Sequence, residues 1–169
     1  MNTVPFPRTP PHLQKEEVQL LLRGGQPLEG TIHIPDGMPL LNFLGLRRFF
    51  LNLTSVREVG SEEEKDPVAH LSVRLSNVVW VIPMERSLHL STALIPAEVG
   101  RTVELQLVDG TTLKVMLNIS DEQRMSDYLD ANSGFVPLFE ARDLSTSRVI
   151  PRLAVNHEAI LAIREVPRD

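Results

Sequence analysis

The chain repeats itself. EVQLLLRGGQPLEGTIHIPDGMPLLNFL, starting at Glu17, aligns without a gap onto TVELQLVDGTTLKVMLNISDEQRMSDYL, starting at Thr102, so that residue 18 stands over residue 103, 85 positions on. Identities fall at Val18/Val103, Leu20/Leu105, Leu22/Leu107, Gly25/Gly110, Leu28/Leu113, Ile34/Ile119 and Asp36/Asp121, and continue at Leu44/Leu129, Phe50/Phe135 and Leu53/Leu138. Apolar matches in phase over this length are the mark of a structural unit used twice. A unit of about 70 residues is near the size at which a domain buries only a marginal core, so the two copies are expected to pack on each other or on further copies in an oligomer.

Each copy opens with alternation, Val18, Leu20, Leu22 and Val103, Leu105, Leu107, the period-2 pattern of a strand with one buried face. Arg23-Gly24-Gly25 and Val108-Asp109-Gly110 supply tight turns. A second strand returns through Leu28, Gly30, Ile32, Ile34 and Leu113, Val115, Leu117, Ile119. The period then changes: Met125, Tyr128 and Leu129 follow Ser120-Asp121-Glu122-Gln123, which has capping-box spacing, and Leu40, Phe43 and Leu44 follow Pro39, so each copy is expected to carry a short helix. Phe49–Val56 and Phe135–Ala141 read as third strands, and the last strands lie in His70–Pro83 and Val149–Val166. The fold expected is mainly β with short helices: two duplicated small β-barrels, each with a helix inserted after strand 2. Residues 16–86 form copy 1 and residues 101–169 copy 2, with 87–100 as connector, Arg57–Pro67 as an acidic loop, and the Pro-rich residues 1–15 as a flexible tail without the cationic start and apolar core of a secretory signal.

The absence of cysteine excludes disulfides, thiolate nucleophiles and Cys-ligated metal. His12, His33, His70, His89 and His157 are scattered rather than spaced as ligands, and neither metal nor cofactor is expected. No apolar run approaches the ~18 residues that cross a bilayer. The longest, Asn77 to Met84, is interrupted by Pro83, so no membrane insertion and a cytoplasmic location are expected. The formal charge is −5, and each copy is acidic, with 7 basic against 10 acidic residues in copy 1 and 8 against 11 in copy 2.

Val18, Leu20, Gly25, Leu28, Gly30, Ile32 and Asp36 resemble the first motif of the Sm-like proteins, small five-stranded barrels of the RNA-associated kind. Arg74, Asn77, Val78, Val79 and Val81 resemble the second, and Asn42 falls near the place of that family's uridine-contacting Asn. The resemblance implies an SH3-like barrel and a candidate ligand or RNA pocket at Asn42, Arg74 and Asn77, with Asp127 and Asn156 at the corresponding places of copy 2. Leu75 stands where the family has Gly, Val115 replaces Gly30, and a helix occupies a normally short loop. The pattern is also similar to an uncharacterised family of bacterial small-barrel domains, which implies a fold and little about activity.

The sequence is compatible with three functions. A non-catalytic adaptor or assembly subunit, binding another protein or itself, accords with duplication and with the free sheet edges such units present. RNA binding would need a local basic patch, for which Arg47, Arg48, Arg142, Arg148 and Arg152 are the candidates, and the acidic balance disfavours it. Catalysis would rest on His33 with Asp36, His157 with Glu158, or the alternating Ser87, His89 and Ser91, none with a visible orienting partner. The expectation is a protein-binding module without enzymatic activity.

Overall fold

The computed structural model describes residues 12–46, 49–61, 66–91, 100–131 and 134–167. Within them the protein is mainly β, with strands β1 (Leu13–Leu22), β2 (Pro27–Pro35), β3 (Phe50–Glu58), β4 (Val68–Arg74), β5 (Val78–Pro83), β6 (Arg101–Leu107), β7 (Thr112–Leu117), β8 (Phe135–Asp143), β9 (Val149–Asn156) and β10 (Ile160–Glu165). Helix α1 (Leu40–Gly45) follows β2, and α2 (Met125–Ala131) precedes β8. Single 3-10 turns at Leu75–Asn77 and His157–Ala159 lead into β5 and β10.

All ten strands belong to one open antiparallel sheet, in the order β10-β6-β7-β8-β9-β5-β1-β2-β3-β4. What the sequence separates into two units is therefore continuous in its backbone hydrogen bonding. The join is made by β5 and β9, where Trp80 lies opposite Val155 and Val81 opposite Ala154. Read in one direction across the sheet from the β10 edge, each run of five uses its strands in the same order: the last strand beside the first, then the second, third and fourth.

Local chemistry accounts for the elements. Gly24 and Gly110 have φ of +67° and +90°, a region glycine enters freely, and the turns close through Gly25 N–H to Leu22 O and Gly110 N–H to Leu107 O. In β3 and β8 one residue adopts a left-handed conformation at the matching place, Ser55 and Glu140, with φ of +54° and +51°. The register with β2 shifts nearby, between Glu29 and Thr31.

Two hydrophobic cores lie on either side of the join, and each takes side chains from both sequence units. The first holds Val18, Leu20, Ile32, Ile34, α1 through Leu40, Phe43 and Leu44, and also Ala154, with Phe135 and Phe139 packed against it. The second holds Val103, Leu105, Leu107, Val136 and Leu138 together with Leu21, Val79 and Ile82 of the first unit. This explains the unbroken apolar run of β5: Val78 and Val81 face one core, Val79 and Ile82 the other.

Three expectations change. Strand β1 begins at Leu13, so Leu13 to Lys15 lie in the sheet instead of in a tail. The capping-box spacing at Ser120 does not start α2: Ser120 to Gln123 forms a turn closed by Gln123 N–H to Ser120 O, Arg101 Nη2 donates to both carbonyls, and the helix begins at Met125. The described part of the connector is not a spacer either, because Leu88 and Leu90 are buried in the first core and His89 O and Leu90 O accept from Leu40 N and Leu41 N.

Candidate functional site

The features that set this chain apart from a plain β-sheet protein are its join and its two open edges. Asn156 ends β9 at the join and is buried. Its Nδ2 donates to Leu75 O at 3.1 Å and Val78 O at 2.8 Å, and its Oδ1 accepts from Glu158 N at 3.0 Å. One side chain thus satisfies carbonyls of the first unit's 3-10 turn and caps the second unit's turn. An amide is the smallest side chain with both donors and an acceptor for that task. Arg23 crosses the same boundary, donating from Nε to Ser76 O and from Nη2 to Glu158 O. Arg152, on β9, donates to Leu88 O and Glu85 O, both at 2.6 Å, and ties the chain after β5 to the second unit.

Asn42 is exposed on α1, Arg74 ends β4, and Asn77 lies in the 3-10 turn, on three different elements. Arg74 stands 5.9 Å from the centroid of the Phe50 ring, a cation over an aromatic face. Asp127 is exposed on α2, where its carboxylate accepts from Ser126 Oγ. Asn156 and Arg152 are occupied by the structural hydrogen bonds just described. Arg142 and Arg148 are exposed on β8 and in the turn after it, and Arg47 and Arg48 lie outside the described residues. Ser87, considered for catalysis, donates to the buried Glu16 carboxylate at 3.3 Å. No group of three or more His, Asp or Glu residues that could hold a metal ion occurs among the described residues.

A groove of about 850 Å³ opens beside β1, β2 and β3, lined by Glu17, Glu29, Arg57, Glu58, Asp66 and Val68 among others. Arg57 is ion-paired with Glu29 at 3.0 Å, so its charge is already engaged and the wall of the groove is acidic. Such a wall repels phosphate.

The two edges differ from the strands they resemble. β5 is buried along its length, whereas β10, the corresponding strand of the second unit, is largely exposed, and Leu161 is 63% exposed where Val79 is 0%. At the other end Phe50 is 50% exposed, while Phe135, its repeat partner, packs against the first core. α1 has three buried residues and α2 has none, although burial is sufficient to push the Tyr128 phenol above its ordinary pKa. Sequence reasoning missed Arg23, Phe50 and Leu161. For Arg23 the available signal was a break in the repeat: it aligns with Val108, which has no side-chain donor to repeat the bond that Arg23 makes across the boundary to Glu158 O.

Comparison with protein-family models, with curated proteins and with solved structures returned no match.

Proposed function

We propose that this chain is a non-catalytic adaptor or assembly subunit, built from two small-barrel units of the Sm-like or SH3-like kind, that binds other proteins through the open edges of its sheet. The observation carrying this reading is the β5–β9 join. There, two edge strands pair and bury apolar side chains on both faces, which supports edge pairing as the way these units bind. β4 and β10 offer the same kind of backbone edge, with no further strand beside them among the described residues.

Electrostatics supports protein over nucleic acid as the ligand. The net charge is −5, the large groove is acidic, and Arg152 is held in backbone hydrogen bonds. The test is solution mass by light scattering with the absorbance ratio recorded, before and after nuclease treatment, followed by affinity capture with the wild type and with Leu161→Glu. The adaptor reading expects a nucleic-acid-free protein that retains a partner the edge variant releases. A mass that falls on nuclease treatment, or capture that is indifferent to both edges, overturns it.

A further inference from the structure

The join inside the chain uses only one of the two edges each unit owns. β5 of the first unit pairs with β9 of the second, which leaves β4 of the first and β10 of the second as the corresponding pair, unpaired on their outer sides among the described residues. We propose that chains associate head to tail, the β10 edge of one pairing with the β4 edge of a second copy in the register of the β5–β9 join. This rests on the reading of the sheet edges as docking elements and names their occupant.

The repeat fixes the register. Strands β4 and β9 correspond through their neighbours, Phe50 facing Arg74 as Phe135 faces Asn156, and the 3-10 turns carry the correspondence on to β5 and β10. Trp80 opposite Val155 therefore becomes Ala162 opposite the second copy's Val73, and Val81 opposite Ala154 becomes Ile163 opposite its Ser72.

Three features of the edges support a second copy as occupant. The surfaces to be joined are apolar at the right places. Leu161 on β10 corresponds to Val79, which is fully buried at the join, and Phe50 corresponds to Phe135, which packs on the first core beside α1. In a head-to-tail contact the second copy's Phe50 meets Met125, Tyr128 and Leu129 around α2, the three apolar side chains that correspond to the buried Leu40, Phe43 and Leu44. The polar chemistry also has a counterpart. Arg74 stands where Asn156 donates to Leu75 O and Val78 O, and the carbonyls it would meet are those of His157 and Ile160. Glu158 takes the place of Ser76 in that turn, so the Arg74 guanidinium faces a carboxylate that the internal join lacks.

The contact is weaker than the internal one, since Ala162 and Arg164 stand where the join has Trp80 and Ile82. It is also heterologous: unlike surfaces meet, and growth continues until the chain of subunits closes or the concentration limits it.

The test is the mass of the full-length protein by sedimentation over two decades of concentration, with thermal midpoints recorded for every variant. The wild-type mass should rise with concentration. Leu161→Glu should hold the protein as a monomer with an unchanged midpoint, because Leu161 is exposed in the single chain. Arg74→Glu and Glu158→Arg should each weaken association about tenfold or more, and the protein carrying both should recover it. A wild type that stays monomeric throughout overturns the proposal, as does a dimer that requires Leu161 but ignores Arg74→Glu, which would be a two-fold β10–β10 contact. If the wild type is monomeric yet captures a partner that Leu161→Glu releases, the edge is a docking element and only its occupant was wrong; if neither occurs, both readings fall.

Discussion

Gly30 and Val56 of the first unit align with Val115 and Ala141 of the second, and the exchange of sizes has a physical cause. A Cβ on Gly30 would lie 3.2 Å from Val56 Cγ2 and 3.2 Å from Leu53 Cδ2, too close without movement of the neighbours. Where the second unit has Val115, the facing residue has shrunk to alanine, and both are buried. Gly30→Val should therefore destabilise the protein by about 1–3 kcal/mol through overpacking. Val56→Ala should cost about 2 kcal/mol through the lost methyl groups and the space they leave. The double variant should lose at least ~1 kcal/mol less than the sum, measured by urea midpoints at constant slope. Strict additivity would mean that the two positions do not share one packing site. Asn156 is a different kind of residue-scale constraint, because Asn156→Ala removes the side-chain donor from two carbonyls and the side-chain acceptor from one N–H at a buried join. The expected loss is about 2–4 kcal/mol, more than an exposed Asn such as Asn42 would cost. From the sequence, Asn156 is visible only as a departure from Arg74. Its role was not legible, since it depends on a contact 81 residues away.

At the scale of elements, the strands and their turns were legible because alternation and left-handed glycines are local signals. The pairing of β5 with β9 was not, because an edge strand carries no sequence mark of which edge it meets. The apolar run of β5 did announce burial on both faces, and Trp80 is the residue that tests it. It lies opposite Val155 and packs against the second core from a strand of the first unit. Trp80→Ala should cost about 3 kcal/mol. For a chain of this length that lowers the thermal midpoint by roughly 6–12 °C, and an unchanged midpoint would remove Trp80 from the join. The turn from β8 to β9 makes a smaller prediction. Slight burial raises the Asp143 carboxyl, but hydrogen bonds from Ser145 and Thr146 outweigh it and hold the group below its ordinary pKa. A depressed carboxyl stabilises the fold above its unfolded-state pKa and loses that contribution as pH falls through the folded value. Asp143→Asn should therefore reduce stability at neutral pH by less than about 1 kcal/mol, since the site is exposed, and the difference should shrink in acid. A deficit that persists undiminished in acid would assign the effect to geometry.

At the scale of the whole molecule, the shared cores decide how the chain comes apart. Two tandem units joined by a linker would unfold independently, each with its own midpoint. Here Leu21, Val79 and Ile82 complete the core of the second unit, while Ala154, Phe135 and Phe139 complete that of the first. Neither run of five strands buries its apolar surface alone, which is the consequence expected of units at the marginal size. The chain should therefore unfold in one transition despite its duplicated sequence. The single tryptophan makes this measurable, because Trp80 sits at the join and reports its opening, whereas far-UV circular dichroism reports strands everywhere. At protein concentrations low enough to keep chains apart, the two signals should trace coincident urea curves. Asn156→Asp removes the donors to Leu75 O and Val78 O and sets a carboxylate against those carbonyls, so it acts on the join above all. In that variant the fluorescence transition should move to lower denaturant ahead of the dichroism, as the sheet parts between β5 and β9 before either half melts. Separate transitions already present in the wild type would mean that each unit carries a sufficient core, and that the exchange of Val79 and Phe135 across the join contributes little to its cohesion.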